Sequence, residues 1–196
     1  MAYFPLYINL DDTKVVVIGA GKVASRKIKD VLEYGAKVVV IAPMIDEEIE
    51  KMSVCNDVKI IKAEFTEALL DEELREGNIS FVVAATNNRD VNIIISRYCK
   101  SRRIPINVVD DTELCSFIFS SIYKNGDIIC GISSGGKGPV ITQYIRDILK
   151  DNLPDNIGEI ADIMGKEREK LKKSEPDQAK RAVILRELLN ELINAG

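Results

Sequence analysis

A glycine-rich stretch, GAGKVA at residues 19–24, is the first feature of the sequence that could bind a ligand. It directly follows a run of β-branched residues and directly precedes a helical pattern. In this arrangement Gly19 makes a tight turn, and Gly21 lets a pyrophosphate approach the backbone. Amides at the start of the helix face the bound anion, and they belong to Lys22, Val23 and Ala24. This order of strand, loop and helix predicts a dinucleotide site, and the alternative is a plain tight turn.

The segments that follow the second and fourth β-branched runs are further candidates for contacts with the dinucleotide. An acidic residue for the adenosine ribose is expected roughly 20 residues after the glycine loop, but the sequence has Ala42, Pro43 and Met44 there. No arginine follows closely either, so the pattern leaves both NAD and NADP open. After the fourth run, the small polar residues Thr86 and Asn87 are candidates to line a nicotinamide.

A pair of adjacent carboxylates, Asp110 and Asp111, ends the fifth β-branched run. Ligands of open α/β sheets bind beyond the carboxyl ends of the strands. Because neighbouring residues of a strand point to opposite sides, at most one of the pair faces the ligand. The chain contains no histidine, and we therefore predict that Asp110 is the proton acceptor beside a hydride acceptor. The alternative is that Asp110 caps a helix or stabilises a turn.

A second glycine-rich loop, GISSGGKGP at residues 131–139, lies between a strand pattern and a helix that starts near Pro139. Its backbone amides and its lysine could hold carboxylates or phosphates. A flexible connector is the alternative. The predicted substrate-binding residues are Ser134, Gly135, Gly136, Lys137 and Arg146.

The composition excludes several other classes of site. Without histidine, histidine-based nucleophiles and zinc sites that contain histidine are excluded. A net charge of −4 without a dominant basic stripe disfavours nucleic-acid binding, and neither a signal peptide nor a membrane span is predicted. The cysteines lack the close spacing of a metal or redox pair, so no metal site is predicted. We expect buried free thiols in a cytoplasmic protein; the cysteines are Cys55, Cys99, Cys115 and Cys130.

Repeated strand–helix units must position these residues. Near-continuous apolar runs are typical of parallel strands that helices cover on both faces. Helical patterns over residues 22–34 and 90–101 separate some of these runs. Such alternation predicts an α/β fold with a Rossmann-like, doubly wound parallel sheet. The five runs are residues 14–19, 37–42, 58–63, 79–85 and 105–110.

The pattern changes after residue 110. A turn signal at residues 124–127 predicts an antiparallel hairpin, and a helix with Pro139 in its first turn follows. Two helices are predicted after Pro154, the second starting at Ser174-Glu175-Pro176-Asp177. Residues 166–186 hold eight Lys or Arg and four Asp or Glu, which indicates a solvated helix face or attraction to a polyanion. We predict a nucleotide-binding domain, a hairpin-and-helix segment and a helical domain over residues 1–112, 113–150 and 151–196.

Four stretches together resemble the precorrin-2 dehydrogenase family, the N-terminal module of siroheme synthases, over residues 3 to about 150. They are VVVIGAGKVASRK (15–27), FVVAATNNRDVN (81–92), INVVDDTELCSFIFSSI (106–122) and GISSGGKGPVITQYIR (131–146). This resemblance implies oxidation of precorrin-2 to sirohydrochlorin with NAD, which the loops at residues 19–24 and 42–44 would hold. It implies that Asp110 is the functional aspartate.

The resemblance also implies a homodimer, formed through the segment after the fifth strand. Some members insert ferrous iron as well, and the sequence does not decide whether this chain does. An NAD-sensing regulatory domain without catalysis is the alternative function; such domains usually carry an acidic residue after the second strand, where this sequence has Ala42. A protein that only inserts iron would lack the usual histidine ligands here.

Overall fold

The sheet follows from short β-branched runs that helical segments separate. The computed structural model describes residues 3–55 and 57–194, without the side chain of Cys55. Described residues up to Phe119 form one compact unit, and those from Ser120 form a second. The first unit contains β1 (Lys14–Ile18), α1 (Lys22–Leu32), β2 (Lys37–Ile41), α2 (Glu47–Cys55), β3 (Val58–Ile61), α3 (Glu67–Arg75), β4 (Ile79–Ala84), α4 (Arg89–Ser101) and β5 (Ile106–Val108).

These strands form a five-stranded sheet in the order β3-β2-β1-β4-β5. Every neighbouring pair is parallel. The strand order reverses direction at β1, since β2 and β3 continue to one side and β4 and β5 to the other. This confirms the prediction of a doubly wound parallel sheet.

Alternating residues of each strand enter two separate cores. On β1, Val15 and Val17 face one core, while Val16 and Ile18 face the other. The first core is covered by residues of α1 and α2, and the second by residues of α3 and α4. Because each fully buried aliphatic side chain contributes about 1.5–3 kcal/mol, both faces stabilise the sheet. This double burial explains why the strands read as continuous apolar runs.

The fifth strand is shorter than its apolar run predicts. It spans only Ile106–Val108, and the chain turns at Val109 and Asp110. Returning chain then lies beside the strand, because Ser116 donates its backbone N–H to the Ile106 carbonyl at 2.8 Å. The prediction that Asp110 belongs to a strand is therefore wrong.

The second unit begins with an antiparallel hairpin, as predicted. It contains β6 (Ser121–Asn125), β7 (Ile128–Ile132), α5 (Pro139–Asn152), α6 (Ile157–Ser174) and α7 (Gln178–Asn194). Asn125 joins the hairpin to α6: its side-chain amide donates to the Asp155 carbonyl at 2.8 Å, and its Oδ1 accepts the Gly158 N–H at 3.2 Å. The turn residue Gly126 has a φ of +56°, and an added Cβ there would lie 3.1 Å from the Cα of Gly158.

The last helix starts a little later than predicted. Ser174 is the final residue of α6, and its hydroxyl donates back to the Lys170 carbonyl at 3.2 Å. Asp177 caps α7 instead, because its Oδ1 accepts the Ala179 N–H at 2.8 Å. Within the described part of the chain, no helix combines the length and apolar character needed to cross a membrane.

Candidate functional site

The carboxyl ends of four strands meet at one edge of the sheet. Gly19 donates its N–H to the Ile41 carbonyl at 2.9 Å, and Ala85 donates to the Ile18 carbonyl at 2.7 Å. Val109 continues this pattern by donating to the Ala84 carbonyl at 2.9 Å. The loops after β1, β2, β4 and β5 therefore start side by side around the point where strand order reverses, which is where ligands of this fold class bind.

Gly19 serves the packing of this edge. It has a φ of +103°, and an added Cβ would lie 2.3 Å from the Ala85 carbonyl oxygen. Both the conformation and the contact require glycine. This residue thus lets the ends of β1 and β4 approach each other.

Gly21 serves a different purpose, because the space in front of it is open. It is the N-cap of α1 with a φ of −90°, and apart from its neighbours in the chain no described residue lies within 4 Å of an added Cβ. Glycine offers no capping oxygen, and the first turn of α1 contains no acidic side chain. The helix dipole and the first-turn amides therefore favour an anion here. An open cradle at a helix N-terminus fits the pyrophosphate of a dinucleotide.

The predicted cofactor-binding residues of this cradle differ in exposure, and therefore in whether their side chains can contact a ligand. Lys22 and Val23 are exposed, whereas Ala24 is fully buried and can contribute only through its backbone. In the loop after β2, Ala42 is buried in the first core, while Pro43 and Met44 are exposed.

Asp46 connects the loops after β1 and β2, and the sequence pattern did not single it out. Its backbone N–H donates to the Ala20 carbonyl at 3.1 Å. Its Oδ1 accepts the Glu48 N–H at 3.0 Å, which caps α2. The two loops are therefore held next to each other without an acidic residue at the end of β2 itself.

The loop after β4 is fixed by two asparagines. Thr86 donates its hydroxyl to Asn92 Oδ1 at 2.7 Å, and the Asn92 side-chain amide donates to the Thr86 carbonyl at 3.1 Å. Asn88 caps α4 by accepting the Asp90 N–H at 3.0 Å. The Thr86 hydroxyl is thus engaged inside the loop, while the neighbouring Asn87 is exposed.

Asp110 lies in the turn beyond β5 and is exposed. Its φ of +60° is in the left-handed region, which aspartate tolerates better than most residues. The side-chain carboxylate of Asp111 is held by Arg89, at 3.1 Å between Nη2 and Oδ2. Asp110 and Asp111 lie beyond the end of the strand, so the argument that neighbouring strand residues point to opposite sides does not apply to them. Their carboxylates differ because that of Asp111 is paired with Arg89, whereas Asp110 is exposed.

The second glycine loop lies in the second unit. Gly135 and Gly136 have φ values of +65° and +83°, and the Ser134 hydroxyl accepts the Gly138 N–H at 2.9 Å, so it stabilises the loop. Gly138 is the N-cap of α5, whose first turn contains no acidic residue. Lys137 is exposed.

Arg146 and Lys27 each have a partner within the unit that contains them. Arg146 pairs with Asp147 at 2.7 Å. Lys27 lies 3.9 Å from the centre of the Phe119 ring and 3.6 Å from Asp30. Burial lowers the pKa of Lys27, although Asp30 opposes this shift. Lys27 therefore stabilises the packing of the first unit, where Phe119 also contacts Phe81.

Two of the cysteines are buried free thiols, as predicted. Cys99 is fully buried, and burial raises the pKa of its thiol to about 12. Cys115 is also buried, and its pKa is raised chiefly by burial. Cys130 is free and only half-buried. The side chain of Cys55 lies outside the described residues.

The parallel sheet and the open glycine cradle define a nucleotide-binding protein of the Rossmann type. A family model described as NAD(P)-binding matches residues 6–121. The chain belongs to this family.

Longer alignments relate the chain to siroheme synthases. It is 33% identical over 172 residues to siroheme synthase of Saccharophagus degradans, and 36% identical over 172 residues to siroheme synthase 3 of Aeromonas hydrophila. Each alignment covers 88% of this chain and 36% of the relative, so the chain spans about a third of the length of these curated relatives. These matches confirm the resemblance that the sequence motifs indicate.

A solved structure shares the fold. The structure named SirC, precorrin-2 dehydrogenase, matches with a TM-score of 0.73 at 22% sequence identity. The match covers 95% of this chain and 89% of that chain. Its extent includes the parallel sheet, the hairpin and the helices after it.

Proposed function

We propose that this chain is an NAD-dependent dehydrogenase that oxidises precorrin-2 to sirohydrochlorin in siroheme biosynthesis. The observation that carries the proposal is the similarity to siroheme synthases over 88% of the chain. The fold shared with a structure named as a precorrin-2 dehydrogenase supports it, and so does the open anion cradle at Gly21.

In this proposal the edge of the sheet holds the cofactor. The first-turn amides of α1 bind the pyrophosphate, and residues 42–44 contact the adenosine half, with Ala42 acting through its backbone. The loop at Thr86 and Asn87 lies beside the nicotinamide. Asp46, next to this cradle, favours NAD over NADP, because its negative charge repels the additional phosphate of NADP.

Oxidation of precorrin-2 removes one hydride and one proton, and bound NAD supplies the hydride acceptor. Asp110 accepts the proton in this proposal. It is exposed at the ligand-binding edge of the sheet, and a carboxylate is suited to the role in a chain without histidine. Asp111 is a weaker candidate, because Arg89 already neutralises its charge.

The substrate is a polycarboxylate tetrapyrrole, so its binding needs positive electrostatic potential. We assign this role to the second glycine loop, where the amides at the N-terminus of α5 and the exposed Lys137 can bind carboxylates. Gly135, Gly136 and Ser134 shape the loop. Arg146 contributes if substrate displaces its exposed partner Asp147.

We also propose that the protein is a homodimer, with α5 at the interface. Five apolar side chains of α5 are exposed, with Val140 at 77% and Tyr144 at 60%. Their spacing places them on one stripe of the helix, and contiguous exposed apolar surface of this kind marks interaction sites. The stripe consists of Val140, Ile141, Tyr144, Ile145 and Ile148. The free thiols described above suit a reducing cytoplasm, where we place the protein.

Anaerobic incubation of the purified protein with precorrin-2 and NAD tests the proposed function. The expected result is matched formation of sirohydrochlorin and NADH, both followed by absorbance. A parallel reaction without NAD controls for spontaneous oxidation. Binding of NAD without turnover would contradict the proposal and favour a regulatory NAD-binding domain. Subsequent addition of ferrous iron, with a protein-free control, tests iron as a second substrate.

A further inference from the structure

The turn that carries Asp110 is held by a buried thiol. Cys115 Sγ accepts the backbone N–H of Val108 at 3.1 Å. It lies 3.3 Å from the Val108 carbonyl oxygen and 3.3 Å from the Asp111 carbonyl oxygen, so its S–H can donate to either. These contacts reach the chain on both sides of Asp110. The thiol therefore connects the end of β5 with the residue that follows Asp110.

Two backbone hydrogen bonds and one ion pair also hold this turn. Val109 donates its N–H to the Ala84 carbonyl at 2.9 Å, and Asp111 donates to the Val108 carbonyl at the longer distance of 3.4 Å. The ion pair between Arg89 and Asp111 has an arginine that is 69% exposed, and exposed ion pairs stabilise weakly. Asp110 itself has left-handed backbone geometry, which persists only where the surroundings hold it in place. Among the contacts described for residues 108–115, the thiol is the buried side-chain contact that spans Asp110.

We propose that Cys115 is a positioning residue, whose thiol holds the Asp110 carboxylate in its productive orientation. This inference rests on the proposed role of Asp110. Burial raises the pKa of Cys115, so the thiol stays protonated at neutral pH and keeps its S–H as a donor. Such a thiol is a poor nucleophile, and its role is to fix the backbone.

The chain that returns after the turn is held against β5 by other residues, so the thiol can position Asp110 without being needed for folding. The chain after the turn is attached to β5 independently of the thiol: Ser116 donates its N–H to the Ile106 carbonyl at 2.8 Å, and its hydroxyl accepts the Ile106 N–H at 2.8 Å. The Asn107 side-chain amide donates to the Phe117 carbonyl at 3.1 Å and also to Cys115 Sγ at 3.6 Å, so the two Ser116 bonds are the ones that do not involve the thiol. Loss of the thiol should therefore loosen the turn while the returning chain stays docked.

The test compares Cys115→Ala with Cys115→Ser, which keeps a donor and an acceptor at this position. We expect Cys115→Ala to lower kcat for precorrin-2 about tenfold, since small displacements of a reacting group lower rates by such factors. Cys115→Ser should retain most of the rate. The Kd for NAD, measured by calorimetry, should stay within about threefold in both variants, because the cofactor cradle is formed by other loops. Cys99→Ala, which changes a buried cysteine of α4, is the matched control and should keep kcat.

A double-mutant cycle with Asp110→Ala distinguishes positioning from general damage. If the thiol acts through Asp110, Cys115→Ala should change the residual rate of Asp110→Ala by less than about twofold. An equal tenfold loss in both backgrounds would overturn the inference, and so would a wild-type rate for Cys115→Ala while Asp110→Ala is slow. A wild-type rate for Asp110→Ala would instead overturn the proposed role of Asp110, and with it this inference. Cys115→Val, which is larger than cysteine, fills the site and makes no hydrogen bonds, replaces the alanine variant if that variant fails to fold, with the same expected loss.

Discussion

The two glycines of GAGKVA have different roles: Gly19 allows close packing against Ala85, and Gly21 leaves space for a ligand. Gly21→Val should weaken NAD binding at least tenfold, because the branched side chain fills the open space where the pyrophosphate approaches. The φ of −90° suits valine, so the variant should stay folded. Calorimetric titration with NAD measures the effect, and thermal unfolding checks the fold. Wild-type affinity in a folded variant would show that the cofactor does not bind here.

Gly19→Ala is the contrasting change in the same loop. The left-handed φ and the 2.3 Å approach to the Ala85 carbonyl oxygen should lower the free energy of unfolding by about 2–4 kcal/mol. Denaturant unfolding measures this loss. Gly21→Ala, which meets open space, is its control and should change stability by less than about 1 kcal/mol.

Asp110→Ala should reduce turnover of precorrin-2 by about 10²–10⁴-fold, the usual contribution of a general base. Affinity for NAD should stay within a few-fold, since Asp110 lies outside the glycine cradle. Steady-state rates at saturating NAD give the result. Asp111→Ala should have a much smaller effect, because that carboxylate is paired with Arg89. Asp110→Asn tests the chemistry: retention of much of the rate would indicate orientation of substrate in place of proton transfer.

Among the contacts between secondary-structure elements, the ion pairs of Glu73 connect α3 with β1 and β3. This glutamate is 2% exposed, and its two oxygens lie 3.0 Å from Lys14 Nζ and 2.7 Å from Lys59 Nζ. Burial alone would raise the pKa of Glu73, but hydrogen bonds and charge from the two lysines together lower it below its ordinary value of 4.5. The ionised form is therefore the one that stabilises the folded state.

Glu73→Gln should lower the free energy of unfolding at neutral pH by about 1–3 kcal/mol. Because the folded-state pKa lies below the unfolded-state value, the stabilisation is present above about pH 4.5 and is lost as the pH falls through the lowered pKa. The difference in stability between wild type and variant should accordingly shrink on acidification, as urea unfolding over a pH series would measure. Glu72→Gln, at an exposed position of the same helix, should show neither effect.

At the scale of the whole molecule, the exposed stripe on α5 should control the oligomeric state. Tyr144→Glu places a charge within the apolar stripe, and burying an unpaired charge in an interface is unfavourable. Sedimentation at equal concentrations should show a dimer for the wild type and a monomer for this variant. Gln143→Glu adds the same charge to the same helix outside the stripe and should leave the dimer intact. A monomeric wild type at high concentration would contradict the proposed interface.

Local residue patterns alone predicted most elements of this protein. The parallel strands, the helix that begins after Gly21 and the hairpin at Gly126 each depend on periodicity or turn chemistry within a few residues. The dinucleotide cradle was predictable for the same reason, because strand, glycine loop and helix are consecutive. The rules for right-handed crossovers then indicated a doubly wound parallel sheet, whereas the strand order came from the structure.

Contacts between distant segments decided the details of the candidate site. The apolar run through Val109 does not show that β5 ends at Val108, because the end depends on returning chain that pairs with Ile106 through Ser116. The placement of Lys27 over Phe119 likewise joins residues far apart in sequence. Cys115 looked like an inert buried thiol, and only its tertiary hydrogen bonds connect it with the turn at Asp110. Periodicity reports which face of an element is buried, whereas the orientation of a turn depends on the partners that the folded chain brings to it.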